Sequence, residues 1–244
     1  MFVALCALAL AQAAVDPAAI SARLAAVQAL RSQRLATQAP AIPASAWAKA
    51  AGGAVATGVI DVPGKKVKVG WGAGVFDHPI DRIWAGLNDE LYHKDLLGLG
   101  HVEITQGSAC ADRRHVMMML PLPVVSNRWW VVENRYSPGL ASASGGGMRE
   151  LSWKGIADLS GERLSEAAKA KVEGAVQVTD VRGAWLLISL DANHTLSEYH
   201  TYTDPGGELP AGAASAFAAS TIADTFAKIG RYTTTTTPRC LGKL

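Results

Sequence analysis

A Thr- and Tyr-rich run from Thr195 to Thr203 is cut off by Asp204-Pro205-Gly206-Gly207, and a long segment poor in charge follows. Pro cannot donate to a sheet ladder and Gly accepts positive φ, so a strand must end and turn here. Pro210 suits a first helical turn, and the nineteen residues Ala211 to Ile229 contain one Gly, one Asp and one Lys. Asp224 and Lys228 stand four apart in the favourable order and mark the wet side. Ala, Ser, Thr, Phe and Ile make up the remainder, so the helix is apolar over most of its circumference and has to be buried. Just upstream, Leu186-Leu187-Ile188-Ser189-Leu190 is a continuous apolar run of strand length. A buried helix fed directly by a strand pair confines the chain to architectures in which a sheet covers that helix.

The chain is long enough to give the sheet a core: 244 residues, 49% hydrophobic and 18% charged. Its 23 basic and 21 acidic residues are interspersed, and Lys65-Lys66-Lys68 and Arg113-Arg114 are the nearest approach to basic clusters. No phosphate-tracking stripe is present, which argues against nucleic acid as a partner.

Residues 1–14 are uncharged and end in Ala11-Gln12-Ala13, a small-x-small pattern suited to signal peptidase, although no basic n-region precedes it. A periplasmic or secreted destination is the expectation. No later apolar run has the length of a membrane span. Cleavage near Ala13 leaves Cys110 and Cys240, which form either one disulfide holding the C-terminal tail to the sheet or two free thiols. Residues 15–43 read as an amphipathic helix and linker: Asp16-Pro17 caps it, and Ile20, Leu24, Val27 and Leu30 form its stripe. Its charged residues are basic, which would suit a membrane, but its apolar face is mostly Ala, which favours packing on the domain. Ala39-Pro40-Ala41-Ile42-Pro43 is the linker.

From Val55 to Val62 and from Lys66 to Phe76 two strands are expected around Pro63-Gly64. In the second, Val67, Val69, Trp71, Ala73 and Val75 alternate with Lys66, Lys68, Gly70, Gly72 and Gly74, and the apolar set is read as inward. The Gly70-x-Gly72-x-Gly74 spacing is wrong for a nucleotide loop and lies inside the strand pattern. Ile80, Ile83, Trp84 and Leu87 form a short helix after Asp77-His78-Pro79. Strands then follow at His101 to Gln106, Arg114 to Leu120, Arg128 to Tyr136 and Met148 to Ala157, the spacing of an antiparallel meander. Parity turns Trp130, Val132, Leu151 and Trp153 inward, and Met117 and Met119 share one face of their strand as adaptable wall candidates. Ser160 to Glu173 reads as a polar helix and Thr233 to Thr237 as a low-complexity tail, so that the folded domain runs over 44–232 and the tail over 233–244.

Four elements carry a family resemblance: Asp77-His78-Pro79-Ile80-Asp81-Arg82-Ile83-Trp84, Leu120-Pro121-Leu122-Pro123-Val124-Val125-Ser126-Asn127-Arg128, Arg182-Gly183-Ala184-Trp185, and Thr203-Asp204-Pro205-Gly206-Gly207-Glu208-Leu209-Pro210. In order and spacing the chain resembles the bacterial START-like lipid-transfer domains of the helix-grip (SRPBCC, or Bet v 1-like) superfamily over about 47–232. That resemblance implies an α+β helix-grip fold: a curled antiparallel β-sheet wrapped around a long C-terminal α-helix, here with an extra N-terminal helix. It also implies an apolar cavity holding one lipid or other hydrophobic molecule. The lining expected is Trp71, Met117, Met119, Trp130, Val132, Leu151, Trp153, Tyr199, Thr201, Phe217, Ile222 and Phe226. Ser197, Tyr199, Thr201 and Thr203 make a hydroxyl-rich inward row that suits a ligand with one polar group, such as a sterol. Transient membrane contact and a monomeric state complete the expected partners.

Catalytic constellations are missing from the sequence: there is no Gly-x-Ser-x-Gly, His-Glu-x-x-His or Cys-x-x-Cys. No cofactor, metal or catalytic residue is therefore expected. His194, Glu198 and His200 share a parity opposite the cavity and read as a solvated edge. Two alternatives to lipid binding remain open: a cyclase- or dehydratase-like enzyme working in the same cavity, as some superfamily relatives do, and an interaction module with a closed core. The enzyme would need an inward titratable side chain.

Overall fold

A computed structural model describes residues 14–207 and 211–243, with the backbone alone over 211–219. The signal-peptide reading of 1–14, all but its last residue, and the side chain of Phe217 lie outside the described residues.

Nine strands among the described residues form one sheet in the order β1-β2-β9-β8-β6-β5-β4-β3, with β7 attached to β5. They are β1 (Ala56–Ile60), β2 (Val69–Phe76), β3 (His101–Gln106), β4 (Arg113–Leu120), β5 (Arg128–Tyr136), β6 (Met148–Gly155), β7 (Val176–Gln177), β8 (Val181–Ser189) and β9 (Thr195–Thr203). Every pairing is antiparallel except the two-residue β5–β7 contact. Helices α1 (Pro17–Ala26) and α2 (Ala44–Ala51) precede the sheet; α3 (Ile80–Leu87) and α4 (Glu90–Leu97) follow β2; α5 (Pro138–Ala143) and α6 (Glu166–Val172) lie in connections; α7 (Ala211–Thr235) closes the chain. The sheet curls around α7, as the helix-grip expectation requires.

Both faces of the middle strands are covered. On the concave face Phe76, Leu151, Trp185 and Leu187 pack with Ile83, Trp84 and Leu87 of α3 and with Ile222, Phe226 and Ile229 of α7. On the convex face Trp71, Ala73, Val75, Leu186, Ile188 and Leu196 pack under Ile20, Val27, Trp47 and Ala50 of the N-terminal segment. This placement corrects the reading of β2: Trp71, Ala73 and Val75 face the N-terminal helices, and the glycines face α7. Gly72 and Gly74 leave room for that helix, since a Cβ on Gly72 would lie 2.5 Å from Ile222 Cγ2 and one on Gly74 would lie 3.0 Å from Phe226 Cδ1.

The N-terminal segment is shorter in helix than expected. α1 stops at Ala26, and residues Gln28–Gln33 form a 3-10 turn that aims Arg31 and Arg34 at the sheet. Arg34 Nε donates to Glu150 Oε1 at 2.8 Å and Arg31 Nη1 to Glu198 Oε2 at 3.0 Å. Glu198 is thus a buried partner of this strap, not part of a solvated edge.

At the other end α7 runs on through Thr235, where the sequence pattern reads as a loose Thr tail. Thr233 is buried, and the hydroxyls of Thr233, Thr234 and Thr235 donate to carbonyls three or four residues back. The segment after α7 is joined to the β3–β4 loop by a Cys110–Cys240 disulfide that spans 130 residues. On a loop-entropy account a crosslink of that span contributes about 5 kcal/mol.

Candidate functional site: an apolar cavity with a polar end

Between the concave face and the helices lies a cavity of about 630 Å³. Its walls include Met118, Leu120, Trp130, Val132, Leu151, Trp153, Val178, Trp185, Tyr199 and Thr201, closed by Leu87, Leu97, Thr221, Thr225 and Ile229. The volume falls in the range of sites that enclose a single small organic molecule.

Parity along each strand built these walls. Trp130 and Val132 face inward because Trp129 and Val131 pack outward with Ala168 of α6. Leu151, Trp153, Tyr199 and Thr201 line the cavity as read from sequence. Met117 and Met119 do not: they join Trp129 and Val131 on the outer face, and Met118, opposite Trp130 in the β4–β5 register, takes the lining position. Ile222 and Phe226 sit over the glycines of β2 and fill space there, while Thr221, Thr225 and Ile229 present α7 to the cavity. Trp71 is on the far side of the sheet.

Polar groups gather at one end. α4, which the sequence pattern did not reveal, starts at Glu90 and brings Glu90 and His93 to the cavity, and β5 adds Asn134. Arg114 is buried behind them and salt-bridged to Glu90; its Nη2 also donates to Asn88 Oδ1 at 2.8 Å, and Asn134 Nδ2 donates to Glu90 Oε1 at 2.8 Å. His93 Nε2 is 3.0 Å from the Gly86 carbonyl, a contact that makes Nε2–H the donor. Burial holds the His93 imidazole below its ordinary pKa, so the ring is neutral near pH 7. Tyr199, deep in the apolar wall, has its phenol pushed up to about 12 by burial and stays a neutral donor. Asn134 shares parity with Trp130 and Val132, so strand alternation alone could have found it.

The mouth lies at the opposite end of the strands. Arg128 begins β5, six residues before Asn134, a separation of about 20 Å along an extended strand. Arg128 Nε donates to the Pro205 carbonyl at 2.8 Å and pins the Asp-Pro-Gly-Gly turn, whose glycines have φ of 61° and 63°. Leu122, Pro123 and Val125 of the β4–β5 loop line the cavity here, as do Val67, Lys68 and Thr203. Val124, at the tip of that loop, is fully exposed at a φ of 73°.

Among the described residues no group of three or more His, Cys, Asp or Glu side chains could hold a metal ion. No described helix is long and apolar enough to cross a membrane.

No protein-family model and no curated protein sequence matches the chain. Solved structures do. A STAR-related lipid transfer protein from Xanthomonas axonopodis superposes with a TM-score of 0.60 at 18% identity, covering 74% of this chain and 93% of its own. Human STARD10 gives 0.60 at 13%, covering 74% and 69%. Human StAR-related lipid transfer protein 5 gives 0.58 at 13%, covering 89% and 97%. At these identities the likeness is one of backbone architecture, and it agrees with the sheet order and with α7 across the concave face: the chain folds as a START-like helix-grip domain.

Proposed function

We propose that the chain binds one lipid or other hydrophobic molecule between sheet and α7 and carries or sequesters it. One observation carries this reading: a cavity of about 630 Å³ walled mostly by apolar side chains, with Glu90, His93 and Asn134 clustered at one end. An apolar body would occupy the walls, and one small uncharged polar group would meet that end, where Glu90 and Arg114 already neutralise each other. A sterol fits that description better than a phospholipid, whose charged headgroup would have to stay at the mouth. The similar structures, named as lipid transfer proteins, support the same class of ligand.

Delivery would take place at a membrane surface, with the exposed tip of Val124 and Val125 entering the interface beside the mouth. The wall residues named above all come from one chain, and a monomeric state is part of the proposal. Export is part of the proposal: a disulfide holding the C-terminus suits an oxidising compartment. Transfer of a fluorescent sterol and of a fluorescent phospholipid between vesicles tests the reading. Sterol transfer should rise with protein concentration and fall several-fold in Val124→Asp/Val125→Asp. Transfer of neither lipid, with no probe retained by the protein, would reject it.

A second reading also rests on a specific observation. Glu90 and His93 are titratable groups facing an apolar cavity, the feature a cyclase-like enzyme would need. Against it, Glu90 Oε1 is already occupied by Arg114 and Asn134. Chemical change in a polyketide-like substrate that is lost in both Glu90→Gln and His93→Gln would favour the enzyme.

A further inference from the structure

The polar end of the cavity and the disulfide belong to one connected structure. Asn88, Asp89 and Glu90 are consecutive at the α3–α4 junction, and each is buried. Asn88 and Glu90 hold Arg114, while Asp89 between them points the other way. Its Oδ2 accepts from Tyr232 Oη at 2.5 Å and from the Arg239 backbone N–H at 3.0 Å, and its Oδ1 accepts from Arg239 Nε at 2.9 Å. Arg239 precedes Cys240, which is bonded to Cys110. On that side, Arg114 Nη1 donates to the Ala111 carbonyl at 2.6 Å, one residue beyond Cys110. A closed ring results: Cys110, Ala111, Arg114, the Asn88–Glu90 junction, Arg239 and Cys240.

We propose that the Cys110–Cys240 disulfide positions the polar end of the cavity, so that its oxidation state sets affinity for the polar group of the ligand. This rests on the lipid-binding reading above. Reduction by a dithiol consumes two electrons and two protons, yields two protein thiols and converts the reductant to its disulfide. Both Ala111 and Arg239 then lose their covalent tie, Asp89 and Arg114 lose fixed partners, and Glu90 loses its register against Asn134. The apolar walls depend on the ring less: Trp130, Val132, Leu151, Trp153 and Trp185 stand on β5, β6 and β8, and only Leu87, Leu97, Met118, Leu120 and Ile229 among the apolar wall residues named above share an element or junction with it. Reciprocity follows: a ligand whose polar group favours the oxidised form must make the disulfide harder to reduce by the same factor.

Two probes of matched length separate the contributions, 1-pyrenedecanol and 1-decylpyrene. The oxidised protein should bind the alcohol about tenfold more tightly than the hydrocarbon, a difference of the size of one buried hydrogen bond. After dithiothreitol treatment, and in Cys110→Ser/Cys240→Ser, that preference should collapse toward one, with hydrocarbon affinity falling by less than alcohol affinity. Saturating alcohol should raise the dithiothreitol ratio at half-reduction about tenfold. Arg239→Ala keeps the disulfide and cuts the link to Asp89, so it should lose part of the alcohol preference. Where the reduced protein unfolds and binds neither probe, Arg239→Ala decides: full retention of the preference overturns the proposal. An alcohol preference equal in oxidised and reduced folded protein also overturns it. If the oxidised protein binds neither probe, the lipid-binding reading fails instead.

Discussion

Gly72 of β2 lies directly beneath Ile222 of α7, so close that a Cβ at Gly72 would stand 2.5 Å from Ile222 Cγ2 and 3.1 Å from Phe226 Cε2. Ile222 is branched at Cβ and cannot swing aside cheaply. The helix therefore seats on a strip of missing side chains, and among its described residues it is the neighbouring face, with Thr221, Thr225 and Ile229, that looks into the cavity. Gly72→Val should destabilise the fold by about 1–3 kcal/mol through overpacking, read from the denaturant midpoint. Gly139, inside α5 with nothing near its Cβ position, is the control: Gly139→Ala should be neutral or stabilising by up to about 1 kcal/mol. Equal effects at the two sites would contradict the close seat.

Arg34 reaches over the convex face to Glu150, whose carboxylate is fully buried and also accepts from the Leu35 and Ala36 backbone N–H groups. Removing the guanidinium leaves a buried charge short of its counter-ion. Arg34→Ala should cost about 3–5 kcal/mol. The exposed Lys169–Glu166 pair offers a contrast, and Lys169→Ala should change stability by less than about 0.5 kcal/mol. Thermal melts of the two variants distinguish a structural strap from a loosely docked one.

His200 lies on the same convex side, and burial, reinforced by Arg34 and Arg182, holds its imidazole down to about 4. In the unfolded chain the ring takes its proton near the ordinary value, 6.5. Between those values the unfolded state binds more protons than the folded one, so stability must fall as pH drops from about 6.5 to 4. Below 4 this group adds no further loss. His200→Gln should remove this group's share of that limb, leaving the slopes that His93 and His78 contribute with the same sign. Unfolding midpoints across pH 4 to 7 give the answer, and an unchanged slope in His200→Gln would refute the assignment.

Strand alternation made much of the cavity legible, because Trp130 with Val132, and Leu151 with Trp153, stand opposite charged neighbours such as Glu133 and Lys154. It failed where both faces of a strand are covered. β2 has α7 on one side and the N-terminal helices on the other, so neither face is polar, and its glycines look like a solvent side while they admit a helix. Met117 and Met119 misled for the same reason, since α6 gives β4 a second apolar side. α4 went unseen because its functional residues invert the usual pattern: Glu90 and His93 turn inward while Leu91 and Tyr92 are exposed. Only Gly98, the left-handed cap that ends it, was visible as a break. The disulfide stayed open in sequence because Cα separation, 5.4 Å here, has no sequence signature.

Whether the space beneath α7 holds a guest is the most direct question. Native mass spectrometry of the purified protein, before and after incubation with vesicles of mixed sterol and phospholipid, answers it. The result expected is one hydrophobic molecule per chain, retained under gentle ionisation and released on denaturation. Bare protein mass under both conditions would contradict a ligand-binding cavity.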